Sequence, residues 1–476
     1  MATRDFSNYF LYRWRYVIGY ILVGLLLTGL LFFAGLYLPG GLSEAEKLSV
    51  VGSAGLSFSN LSTLAIPNLP YEAFQASIFA IFGVSTFTIK LPSLILALMS
   101  AIGLVLLLRR WFKPNIAVLA SLIAITTGQF LFVAQSGSAS ILYIFWPVAL
   151  LLLGTQITRV KKFRFLWKIL FAITAALSLY SPLSIYPLIA IVLAVTFHPH
   201  LRNAVRRLNK KRLAVVGIIF LLLVAPLAWL ISMSPQLSLT LLGIPTVWPP
   251  DIGTNTVTVL KQYLLFWEPS TTEVMTPVFG LGSAILIGLG AYRLIRTRET
   301  TRSYLIIFWL VCLIPVLILN PSFTSVTFVT SVLMLAAGLT SLISYWYRLF
   351  PLNPYARIAG LIPIVILVAV LITSGLGRYI YGYYYSPEVA PLFSKDLTLL
   401  PKDTKELVVS KDELPFYSAI AKYHDGLKVF TKPSSNVFVV TRDARSSIKG
   451  YEVKQIITNS RTEQSDRLYV MQRPQQ

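Results

Sequence analysis

Three carboxylates, Glu44, Glu46 and Glu72, stand within one stretch, Leu38 to Leu108, of a chain whose membrane part is otherwise poor in acids. The pattern Ser43-Glu44-Ala45-Glu46 supports two readings. In the first, Ser43 caps a helix and Glu46, at its third position, returns a bond to the Ser43 backbone. Glu44 then only favours the positive helix end. In the second, Glu44 is a carboxylate held at the membrane surface, able to act as a general base on a hydroxyl or amine, or as a ligand for a divalent cation. The two are compatible, because a capped helix holds a carboxylate in place. Glu72 opens a further helix, where the dipole alone accounts for it. Lys90 starts Lys90-Leu91-Pro92-Ser93, where the chain re-enters the bilayer. It either snorkels to water or meets a phosphate at the interface. Lys261, with Glu268 and Glu273, lies in a later outward loop that either is solvated or closes over the first. His198, His200 and His424 lack metal-ligand spacing with these acids.

The elements that position these residues are membrane helices. The chain has 476 residues, 13% of them charged, with a mean hydropathy of +0.70. Its apolar runs repeatedly reach the ~20 residues that cross ~30 Å of hydrocarbon. The sequence predicts a polytopic α-helical membrane protein of about eleven spans, near 16–38, 76–108, 115–134, 141–158, 168–180, 185–197, 213–232, 275–292, 303–319, 327–346 and 359–381. The second run is too long for one straight span. Phe82-Gly83-Val84-Ser85 predicts a break, leaving an interfacial helix over about 71–82. Short runs broken by Ser181-Pro182-Leu183-Ser184 are tolerated where protein or a water-filled cavity satisfies the freed backbone.

A net charge of +22 suggests nucleic acid until the charges are located. They sit in alternate loops, among them Arg109/Arg110/Lys113, Arg202 to Arg212 and Arg293/Arg296/Arg298, whereas 135–140, 181–184 and 320–326 carry none. This asymmetry excludes nucleic acid as the partner and predicts a cytoplasmic N-terminus in the plasma (inner) membrane. Eleven spans then place the C-terminus outside. Two long loops, 39–75 and 233–274, face outward, which points to an extracytoplasmic site on a membrane scaffold. The chain divides into a membrane domain, 1–385, and a charge-rich tail, 386–476. In the tail Glu406 to Ser410, Lys428 to Phe430, Asn436 to Val440, Glu452 to Ile457 and Leu468 to Val470 read as strands. Asp412 to Tyr423 reads as a helix with Asp412 at its N-cap. This is a small α/β domain.

The order of these features resembles the GT-C glycosyltransferases, in the branch of protein O-mannosyltransferases and aminoarabinose-lipid A transferases. That branch opens its first outward loop with an acidic pair, matched here by Ser43-Glu44-Ala45-Glu46-Lys47. A Pro motif follows, matched by Asn68-Leu69-Pro70-Tyr71. An aromatic-rich helix, a Phe-Gly and an Arg-Leu-Pro come next, matched by Phe74 to Phe82, Phe82-Gly83 and Lys90-Leu91-Pro92. The resemblance implies transfer of a sugar, with inversion, from a polyprenyl-phosphate donor to a glycan, lipid or protein acceptor outside the membrane. Glu44 would be the base or the metal ligand, supported by Glu46 or Glu72. Lys90 and Lys261 would meet the substrates. The chain carries Ser43 where the family has an acid, and its 135–140 loop is uncharged. A non-catalytic GT-C-like scaffold or lipid-binding membrane protein is therefore the alternative expectation.

Overall fold

The computed structural model describes residues 41–57, 59–159, 163–245, 248–267, 275–349, 354–381, 392–393, 395–424, 426–458 and 466–474, with isolated positions between Trp14 and Phe32. Most of the expected first span, together with Glu268, Glu273 and residues 382–391, lies outside the described residues.

After Gly41 the chain forms α1 (Glu44–Gly55), α2 (Leu69–Phe82) and α3 (Thr86–Trp111). The expected break between the last two is present. Gly83 ends α2 with φ +71, and Ser85 starts α3 with a reciprocal Ser85–Thr88 cap. Among the described residues six helices are long and apolar enough to span a membrane: Thr86–Trp111, Ala139–Arg159, Lys210–Met233, Thr301–Leu319, Pro321–Leu349 and Leu361–Tyr379. Two bent pairs, Pro114–Ile125 with Gly128–Gln135 and Ile185–Phe197 with Pro199–Arg206, raise the number to eight. The chain is a multi-pass membrane protein.

Of the other expected spans, 16–38 lies mostly outside the described residues, and two form short helices. Arg164–Ser178 and Leu281–Arg296 have 15 and 16 residues. At 1.5 Å per residue each covers only about 24 Å, short of the hydrocarbon thickness. The expected straight span over 115–134 instead turns by 59° at Thr126-Thr127. Its second half, Gly128–Gln135, reaches the expected outer end of α3. Lipid gives helices no hydrophobic reason to associate, so close approach through small residues carries the packing. Ala97 and Ala101 of α3 and Ala117, Ala120 and Ala124 of the next helix are fully buried accordingly.

The tail forms a five-stranded mixed sheet of order β2-β1-β3-β5-β4, from β1 (Glu406–Val408), β2 (Lys428–Phe430), β3 (Val437–Thr441), β4 (Glu452–Thr458) and β5 (Arg467–Gln472). β1 runs parallel to β2 and β3, while β5 runs antiparallel to β3 and β4. All five expected strands form. The expected helix is α4 (Leu414–Ala421), shorter than predicted. Its N-cap position is Glu413 rather than Asp412, because Ser410 and Glu413 exchange side-chain to backbone bonds and fix the turn there.

The sheet does not enclose its core alone. Leu407, Phe416, Ile420 and Leu468 share one apolar cluster with Val50 of α1 and Phe79 of α2. Leu42 N–H donates to the Lys395 carbonyl at 2.6 Å, and Lys422 Nζ caps the α1 C-terminus at the Ala54 carbonyl, also 2.6 Å. The tail is thus clamped to both ends of α1.

Lys395 is itself buried. Its ammonium pairs with Glu413, with Asp443 at 2.9 Å and with Asp466 at 4.0 Å. Burial opposes its charge, and these carboxylates outweigh burial, so its pKa is raised. Lys395→Ala would leave Glu413 and Asp466 as uncompensated charges in the interior. Removing one partner of a buried pair costs about 3–5 kcal/mol. Chemical denaturation followed by tail-domain tyrosine fluorescence should show a loss of that size, and an unchanged midpoint would contradict this account.

Candidate active site

Helix α1 sets up the site through one face. Its buried residues are Glu46, Ser49, Val50, Ser53 and Ala54, the spacing of a single helical stripe. The apolar members meet the tail core. The polar members, Glu46, Ser49 and Ser53, turn toward α2 and α3. The capping box is present in full: Glu46 N–H donates to Ser43 Oγ at 3.3 Å, and Ser43 N–H donates to Glu46 Oε2 at 2.8 Å.

The second oxygen of Glu46 reaches farther. Oε1 accepts from Gly137 N–H at 2.7 Å and lies 3.6 Å from Lys90 Nζ. Glu46 is 1% exposed and Lys90 5% exposed. A charge so buried persists only when paired and hydrogen-bonded, and here both conditions hold. Lys90 therefore does not snorkel; it turns inward to the acid. A small hollow of about 10 Å³ adjoins the pair, lined by Ser43, Gln135, Ser136, Tyr379 and Phe393 among others. That is room for about one water. Tyr379 O–H donates to Gln135 Oε1 at 2.9 Å and closes one wall.

Glu72 lies in an adjoining polar cluster. Both Ser49 Oγ and Ser53 Oγ reach its carboxylate and also Gln75 Oε1. Gln75 Nε2 in turn donates to the carbonyls of Ile89, at 3.0 Å, and Gly137, at 3.2 Å. The Gly137 residue thus links the two acids, giving its N–H to Glu46 and its carbonyl to Gln75. Nearby Tyr71 O–H and Ser93 Oγ lie 2.8 Å apart, and Ser93 Oγ donates to the Ser138 carbonyl at 3.0 Å. The motif Asn68-Leu69-Pro70-Tyr71 forms the turn into α2. Asn68 adopts the left-handed conformation, φ 60, and its carbonyl accepts from the N–H groups of Tyr71 and Glu72.

Burial pushes the Glu72 carboxyl up to about 7, against the lowering effect of Ser53 and Ser49. Two hydroxyl protons also serve three acceptor oxygens here, so a proton on Glu72 supplies the missing donor.

Glu44, expected to be the central residue, sits elsewhere. Its side chain is 60% exposed, and it pairs with Lys47 one turn on. Lys261 is exposed on helix Ile252–Leu264, which packs against Thr301–Leu319. The structure therefore brings together Glu46, Lys90 and, one shell of hydroxyls away, Glu72; Glu44 and Lys261 do not line this hollow. The fit to a divalent cation is poor. Among the described residues no three His, Cys, Asp or Glu side chains converge, and the neighbour of Glu44 is an ammonium. Sequence reasoning missed Gly137, Gln75, Ser49 and Ser53. The polar stripe of α1 was a usable signal for the serines. The uncharged 135–140 loop carried no signal, because it contributes backbone groups.

These elements stand in a recognisable arrangement, and the chain resembles the GT-C glycosyltransferase superfamily in its branch of protein mannosyltransferases and ArnT-type transferases. Residues 69–229 match the sequence profile of the dolichyl-phosphate-mannose-protein mannosyltransferase family. The fold is similar to that of ArnT from Cupriavidus metallidurans in the apo state, with a TM-score of 0.53 at 11% identity, covering 96% of this chain and 100% of that one. The same protein bound to undecaprenyl phosphate gives 0.57 at 12% identity, with 96% and 99% covered. The oligosaccharyltransferase AglB from Archaeoglobus fulgidus, in complex with an inhibitory peptide and a dolichol-phosphate, gives 0.50 at 14% identity; 87% of this chain covers 64% of that longer one. No curated protein sequence matches the chain.

Two variants probe the geometry. A Cβ on Gly137 would lie 2.7 Å from the Ile89 side chain, 3.0 Å from its carbonyl and 3.2 Å from Glu46 Oε1. Gly137→Ala should therefore push the loop off Glu46 and lower the unfolding temperature by several degrees, as overpacking costs about 1–3 kcal/mol. Glu72→Gln should act through pH. With a folded pKa near 7 against 4.5, the wild type keeps its full stability below pH 4.5 and loses it as pH rises through 7. Glu72→Gln should match the wild type at pH 4 and exceed it at pH 8 by at most about 3 kcal/mol. Parallel pH profiles of unfolding for the two proteins would contradict this.

Proposed function

We propose that the chain is a membrane glycosyltransferase that moves a sugar from a polyprenyl-phosphate donor to an acceptor outside the bilayer, at the Glu46–Lys90 pair. The observation that carries this reading is a buried ion pair, its acid hydrogen-bonded at both oxygens, beside a hollow near the start of α3, on a fold similar to that of ArnT. In the reaction, an acceptor hydroxyl or amine attacks the sugar C1. The C1–O bond to the phosphate breaks, and the lipid phosphate leaves with both bonding electrons. Lys90 meets the charge that grows on the leaving phosphate. Glu46 receives the acceptor proton. This gives Glu46 the role that sequence alone suggested for Glu44. Lys47 is engaged by Glu44 on α1 and Lys261 is exposed on its own helix, so neither is given a role, and no step is routed through a metal. Donor entry must widen the hollow, since a sugar needs far more room than one water. The acceptor is a glycan, a lipid or a protein. The N-terminus in the cytoplasm and the tail domain outside an inner membrane complete the proposal.

The alternative is a GT-C-like scaffold without transfer activity. One observation favours it: both oxygens of Glu46 already hold bonds in so small a hollow. The test uses the full chain in vesicles with a radiolabelled polyprenyl-phosphate sugar and membrane acceptors. Glu46→Gln should lower transfer by 10²–10⁴-fold, the usual range for a lost general base. Lys90→Gln should weaken donor use at least as strongly, and Glu44→Gln should leave the rate within about twofold of wild type. Undiminished transfer by Glu46→Gln sinks the catalytic assignment. No transfer by the wild type with any lipid-linked sugar favours the scaffold.

A further inference from the structure

A second and larger cavity opens at the far end of α3. Lys90 and Trp111 sit near opposite ends of this 26-residue helix, roughly 30 Å apart at 1.5 Å per residue. The cavity has a volume of about 400 Å³, and its walls include Trp111, Phe112, Lys113, Arg293 and Arg302. This size suits a small ligand or a lipid headgroup.

Among the described residues its charges are all of one sign. Lys113 follows α3, Arg293 comes from the last turn of Leu281–Arg296, and Arg302 comes from the first turn of Thr301–Leu319. Arg159 and Arg348 add further positive charge beside Arg302 and Arg293. Among the described residues that line it there is no carboxylate. Thr297, Thr300 and Thr340 supply hydroxyls instead. Arg302 is held in place: its guanidinium lies 5.2 Å from the Phe112 ring centre and donates to the Trp111 carbonyl.

A topology signal requires only that loops on one side be basic. It does not require cations from three separate helix ends to converge on one cavity, where they repel each other. Such convergence is stabilised by an anion. Two guanidinium forks, an ammonium and several hydroxyls match phosphate oxygens, and the two aromatic rings suit the membrane interface.

We infer that this cavity binds a phosphate group, carried either by an anionic phospholipid headgroup or by a soluble phosphorylated compound. The site is independent of the transfer chemistry at Glu46.

The test uses the full chain in neutral detergent and follows its thermal midpoint while phosphatidylglycerol, phosphatidylcholine or inorganic phosphate is added. Phosphatidylglycerol should raise the midpoint of the wild type, and phosphatidylcholine should not. The triple variant Lys113→Gln, Arg293→Gln, Arg302→Gln should need at least tenfold more phosphatidylglycerol for the same shift. A shift by inorganic phosphate that is lost in the same variant identifies a soluble ligand. Equal responses of wild type and variant, or none from the wild type, overturn the inference. Should the triple variant fail to fold, Lys113→Gln alone, at an exposed position, should weaken binding several-fold, and its failure to do so overturns the inference equally. Glu46→Gln should leave the lipid response unchanged.

Discussion

A carboxylate enclosed at 1% exposure must be matched by donors, and the end of the bundle where α3 begins is arranged around that requirement at Glu46. Three elements answer it. The α1 cap supplies the Ser43 N–H, the 135–140 loop supplies the Gly137 N–H, and α3 supplies the Lys90 ammonium. None can move without leaving a buried charge short of a partner. The 59° turn that ends in Gly128–Gln135 brings the Gly137 peptide into reach. A straight helix would carry that loop away from α1.

The tail domain supplies the other half of the constraint. Helix α1 has twelve residues, too few for stability by itself in water. It is held because its apolar positions complete the tail core, and because Leu42 and Ala54 are bonded to Lys395 and Lys422 at its two ends. The buried Lys395 cluster locks the point where the tail meets Leu42. Rigidity around Glu46 therefore comes from residues more than three hundred positions later in the chain. One apolar cluster, separate from the core of the bundle, is built from residues of both parts of the chain.

The bundle thus has two polar ends of different character. At one end Glu46 and Lys90 border a hollow with room for about one water, together with Ser43, Ser136 and Tyr379. At the other, arginines and a lysine border a cavity some hundreds of cubic ångströms in volume. Apolar packing separates them along the length of α3. This polarity follows the distribution of charge along the chain, with acids in the stretch before α3 and cations in alternate loops.

What the sequence determined by itself is whatever depends on short range. Hydropathy set the membrane class. Gly83 set the break before α3, Ser43 and Glu46 set the capping box, and short runs of β-branched, aromatic and aliphatic residues set the five tail strands. These follow from backbone sterics, local hydrogen bonds and transfer energies that a few residues settle among themselves. Whether Glu44 or Glu46 faces inward was not of this kind. Residues two apart on a helix point to nearly opposite sides, so the choice rests on which side of α1 the tail sheet and α3 occupy. Gly137 is the clearest case. Its contribution is a peptide group that any residue type carries, and only the close approach of the loop to Ile89 and Glu46 made glycine necessary there. Contacts between distant segments decided the site, because burial and pairing of a charge are properties of its surroundings.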